Sequence, residues 1–83
     1  MTNRRSDVTA GPGGVMTDEV GVVTGDLTVQ TEADDDGTLR CQVQYQGADE
    51  WYRITGAPTR LAAGTDLDAV HAALVQRITH GDG

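Results

Sequence analysis

The chain has 83 residues and a formal net charge of −7, from 13 acidic and 6 basic side chains, every basic one an arginine. That length allows one small domain, and a single cysteine excludes an internal disulfide. An acidic surface repels phosphate backbones, which argues against nucleic-acid binding, and no apolar run reaches the roughly 20 residues that a membrane-spanning helix needs.

Residues 1–17 read as a disordered N-terminal tail, with Gly11-Pro12-Gly13-Gly14, few apolar groups and no periodicity. Arg4 and Arg5 are followed by no hydrophobic segment, so no secretory signal is expected. The free thiol of Cys41 suits a reducing compartment, and a cytoplasmic location is the expectation. Glycine codons before Met16 would make the preceding DNA purine-rich, as a ribosome-binding site is, which makes Met16 a candidate start.

Residues 18–80 then read as one domain. A first strand is expected from about Glu19 to Thr31, with a phase change near Val22-Val23 and a bulge or bend at Gly25. Its better-phased half, Leu27 to Thr31, should face the core. Asp34-Asp35-Asp36-Gly37 supplies residues that suit a tight hairpin turn. Leu39–Tyr45 alternates strictly, with apolar side chains at odd positions, and is the clearest strand in the chain. After a turn at 46–49, Glu50–Thr55 forms the third strand, with Tyr52 and Ile54 inside. Trp51 and Arg53 then share the outer face with Arg40, Gln42 and Gln44. Leu61 is the expected anchor of the loop that follows.

The last element is a helix from about Asp66 to Thr79. Thr65 is its expected N-cap, with Asp68 completing a capping-box-like pair. Leu67, Val70, Leu74 and Ile78 form an apolar stripe bordered by His71 and Val75, and Gly81 is the expected stop. The fold class is α+β: a three-stranded antiparallel meander followed by one helix packed on one face (βββα).

Chemistry-bearing residues are sparse. Glu32-x-Asp34-x-Asp36-Gly37 resembles the opening half of an EF-hand calcium loop, but Val43 stands at the closing position where a bidentate Glu belongs, and the flanks are strand-like. An acidic hairpin turn is the simpler reading. Cys41, His71 and His80 lack the local spacing of a zinc site. A Cys41–His71 nucleophile and base would need a polar, accessible thiol, whereas Cys41 belongs to the apolar phase. No cofactor, metal or catalytic residue is therefore expected. Glu50–Pro58 is distinctive but resembles no characterised family.

Trp51 is the most suggestive side chain, since tryptophan is favoured at interface hot spots. The alternatives are that Trp51 simply covers the sheet edge, or that strand three has the opposite register and Trp51 is core. The functional expectation is a non-enzymatic interaction or regulatory module that self-associates or binds a protein partner through Trp51, Arg53, Arg40, Gln42 and Gln44. An acidic inhibitor or antitoxin-like protein neutralising a basic partner is the second expectation. Neither a membrane nor a small-molecule substrate is implied.

Overall fold

The computed structural model describes residues 2–62 and 64–80. The protein is α+β, with a C-terminal helix packed on an antiparallel sheet, but the described residues form six strands in two sheets rather than a three-stranded meander. The strands are β1 (Thr2–Thr9), β2 (Val15–Thr17), β3 (Gly21–Val23), β4 (Asp26–Ala33), β5 (Leu39–Tyr45) and β6 (Tyr52–Arg53), and the helix is α1 (Leu67–His80). The larger sheet has the order β1-β4-β5-β6; β2 and β3 form a separate hairpin.

β1 and β2 lie where the composition suggests a disordered tail. β1 pairs along its whole length with β4, from Thr2 opposite Ala33 to Thr9 opposite Asp26. It escapes an apolar-periodicity reading because its only buried side chain is Val8. Polar pairs take the place of alternation. The Thr28 hydroxyl donates to Asp7 at 2.8 Å, and the Thr9 hydroxyl donates to Asp26 at 2.9 Å. Arg4 donates to Asp68, and Arg5 donates to Gln30.

The expected first strand is two strands in different sheets, with the break at Thr24-Gly25 rather than a bulge within one ladder. The phase change marks the point where the chain leaves the hairpin and enters the large sheet. The inner-phase residues of β4 and β5, Leu27, Val29, Thr31, Leu39, Cys41 and Val43, are buried as their sequences suggest, with Leu27, Val29, Thr31 and Val43 fully so, but in β4 the outer-phase Thr28 and Gln30 are buried as well. Tyr45, at the end of β5, escapes this pattern and is exposed. The Asp34–Gly37 turn closes with Gly37 N–H donating to the Asp34 carbonyl at 3.0 Å, and Gly37 has φ +88°.

The third expected strand shortens to Tyr52–Arg53. Ile54 pairs instead with Thr17 of β2. Asp18 N–H donates to the Arg53 carbonyl at 3.0 Å, and Thr55 N–H donates to the Met16 carbonyl at 2.9 Å. The hairpin thus continues the large sheet past β6. Inside this curved surface Val15, Val23 and Ile54 join Leu27, Val29, Val43, Leu74 and Ile78 in the main core. A smaller cluster of Ala33, Leu39 and Leu67 takes in Leu61, the expected loop anchor.

The helix begins one residue later than the capping pattern suggests. Asp66, not Thr65, is the N-cap: its carboxylate accepts the Asp68 backbone N–H at 3.1 Å. Its buried stripe is Leu67, His71, Leu74 and Ile78, so His71 is central to it and Val70 marginal. The Ile78 carbonyl, one of the unpaired acceptors of the last turn, receives the Gly11 N–H at 2.9 Å. Gly81, the expected stop, lies outside the described residues.

Candidate interaction face

The helix covers the inner face of the sheet, so the outer face is built from the opposite phase of each strand. Register fixes its rows. Arg5, Gln30, Gln42 and Arg53 are successive neighbours across β1, β4, β5 and β6. Asn3, Glu32 and Arg40 form the row on one side, and Asp7, Thr28 and Gln44 the row on the other. Trp51 precedes Tyr52, which packs against the core, so Trp51 belongs to the outer phase with Arg53. All five residues expected to bind a partner (Trp51, Arg53, Arg40, Gln42 and Gln44) therefore share one surface.

They are not equally available. Arg40 donates to Glu32 Oε1 and to both carboxylate oxygens of Asp34, the latter at 3.0 Å each. Both carboxylates favour the guanidinium's charged form and push its pKa up further. This arginine occupies the centre of the acidic motif that resembles a calcium loop. Asp36, the third carboxylate, accepts the Thr38 N–H at 3.0 Å, and that bond holds its pKa below the usual carboxylate value. Gln44 donates to the Ala48 carbonyl at 2.9 Å and braces the turn before Trp51. Arg53 is exposed, and its backbone N–H donates to Glu19 at 2.8 Å.

Trp51 is half-buried, and its ring meets a residue from the far edge of the sheet. The Arg5 guanidinium carbon lies 5.1 Å from the centre of the Trp51 ring, within cation–π range. β1 and β6 are separated by β4 and β5, at about 4.8 Å per strand. The two side chains therefore lean toward each other over the middle strands. Gln30, which shares the Arg5 row and accepts from its guanidinium, is only 9% exposed despite belonging to the outer face, and Thr28, bonded to Asp7 in the next row, is 7% exposed.

The same outer surface continues onto the hairpin and changes character there. Thr17 and Ile54 are paired and buried, which turns Met16, Asp18, Arg53 and Thr55 outward. Met16 stands opposite Val22 across the hairpin. Met16, Val20 and Val22 are 47%, 53% and 49% exposed. This apolar corner, together with Arg5, was not legible as part of a face, because the register joining β2 to Ile54 and β1 to β4 is non-local. Val20 and Val22 do share one phase in the sequence, which is the only local hint.

The remaining reactive groups point elsewhere. Cys41 is buried, with Sγ 3.6 Å from the Pro58 carbonyl oxygen, and burial pushes its thiol pKa up. His71 brings Nε2 to 2.8 Å from Ser6 Oγ and Nδ1 to 2.9 Å from Thr31 Oγ1. Both ring nitrogens are thus engaged by hydroxyls, and neither engages Cys41. His80 is exposed at the end of the helix. Among the described residues no group of three or more His, Cys, Asp or Glu side chains is placed to hold a metal ion, and no helix is long and apolar enough to cross a membrane. No protein-family model, curated protein or solved structure matches the chain.

Proposed function

We propose that the protein is a small non-enzymatic interaction module that docks a second copy of itself through the outer sheet face. The observation that carries this reading is the exposed apolar corner of Met16, Val20 and Val22, continuous with the Trp51–Arg53 end of that face. Exposed apolar side chains gathered on one patch are the usual mark of a contact surface. The face also bears both charge signs, with Arg5 and Arg53 at opposite ends of one cross-strand row and Asp7, Asp18 and Glu32 in the flanking positions. A surface that carries its own complement suits two-fold pairing, in which the same patch serves both subunits.

Size-exclusion chromatography with light scattering tests this directly. A mass rising toward twice that of the chain at high micromolar concentration, and falling back in Met16→Asp, is expected. A concentration-independent monomer rejects self-pairing.

A basic protein partner is the second reading. Arg4 and Arg40 are engaged by the chain's own carboxylates, which leaves the net negative charge to be met from outside. Binding of a basic partner would weaken steeply with salt, whereas docking on the apolar corner would be nearly insensitive to it.

A further inference from the structure

We propose that His71 is an acid-sensitive latch that holds β1 against the helix, so that protonation of its ring releases the strand and bares the edge of β4. The ring is 8% exposed and clasped between two strands: Ser6 of β1 on one nitrogen and Thr31 of β4 on the other. In a neutral imidazole one nitrogen donates and the other accepts, and the two hydroxyls serve both roles. A protonated ring has no acceptor nitrogen, so one hydroxyl loses the group it donates to, and a charge is placed in a nearly dry site.

The groups around the ring do little to welcome that charge. β1 supplies Arg4 and Ser6, β4 supplies Thr31, and β5 supplies Cys41, the cross-strand neighbour of Thr31. Arg4 repels a second positive charge. The helix contributes Asp68, which attracts it, but Asp68 is already engaged by Arg4. Burial, reinforced by Arg4, holds the ring below the ordinary histidine value of 6.5.

β1 is the element that would yield. The helix buries Leu67, Leu74 and Ile78, whereas β1 buries Val8 alone. The strand is followed by Gly11, whose N–H is pinned to the Ile78 carbonyl, so β1 can lift as a flap hinged there. Once it lifts, water reaches the ring, which then titrates at its ordinary value. Each pH unit below that value, down to the attached ring's own lower one, multiplies the ratio of lifted to attached strand tenfold. The uncovered edge of β4 is a template for another strand.

Trp51 reports the event, because lifting β1 removes Arg5 from its ring. Trp51 emission and amide exchange of β1 residues, corrected for intrinsic rates, are followed in the full chain from about pH 7.5 to about pH 5, bracketing the ordinary histidine range. A reversible step shared by both signals, absent in His71→Gln and retained in His80→Gln, is expected. Ser6→Ala, which weakens the clasp, moves the midpoint upward. A flat wild-type profile, a step that survives in His71→Gln, or a Ser6→Ala midpoint that does not move overturns the latch.

Discussion

Arg5 and Trp51 meet over the sheet although three strand-to-strand steps separate the elements that carry them. Their contact ties β1 to the residue that leads into β6. Such a cation–π contact is worth about 0.5–1 kcal/mol at a partly exposed site, and Arg5 also donates to Gln30. Arg5→Ala should therefore lower unfolding stability by about 1 kcal/mol in urea titration and shift Trp51 emission to longer wavelength. Unchanged emission would mean that the two side chains do not meet.

Two glycines separate backbone strain from steric clash. Gly14 has φ +66°, and a Cβ there would lie 2.5 Å from the Val23 carbonyl oxygen, a backbone atom that cannot move aside. Gly47 has φ +83°, but a Cβ there would meet nothing within 4 Å. Gly47→Ala should cost only the left-handed backbone penalty, about 1–2 kcal/mol. Gly14→Ala should cost clearly more, because β2 must shift away from β3. Equal losses in denaturant titration would contradict this packing.

Leu27 is fully buried in β4, between the helix side of the sheet and the hairpin core. Leu27→Ala should destabilise the domain by about 2–5 kcal/mol through lost burial and the cavity left behind. In a domain this small that loss takes most of the total stability, so far-UV circular dichroism should show a large drop in melting temperature.

Cys41 is a structural thiol on this account. Its pKa is raised by burial, so the folded protein holds the thiol proton more tightly than the unfolded chain does. That contribution to stability is complete below the ordinary thiol value and is lost as pH climbs through the raised one. A thiol reagent at neutral pH should label Cys41 slowly in buffer and rapidly in denaturant. Fast labelling of the native protein would show the site to be open.

The elements visible in the sequence are those whose cause is local. β5 spans its alternating segment from Leu39 to Tyr45 and keeps the alternation as far as Gln44, because one buried face and one wet face leave a period-two record. The helix and the Asp34–Gly37 turn follow from apolar spacing and from turn residues in the same way. β1 left no such record: its pairing with β4 rests on the ladder, Val8 and side chains that bond to polar partners far away in sequence. Helical spacing puts His71 at the border of the stripe and not at its centre for the same reason, since it is Ser6 and Thr31, distant in sequence, that make a buried imidazole acceptable there. On the outer face, the five residues anticipated from strand phase do lie together. Arg5 and the Met16–Val22 corner could not be added without knowing which strands are neighbours.

Placement of β1 decides most of this account, since the Arg5 contact with Trp51, the clasp on His71 and the outer face all require it. Nuclear Overhauser contacts across β1 and β4 at neutral pH are the direct measurement. Cross-strand contacts between Ser6 and Val29 and between Arg4 and Thr31, with amide protection through the strand, are the expected result. Random-coil shifts and freely exchanging amides from Thr2 to Thr9 would contradict it.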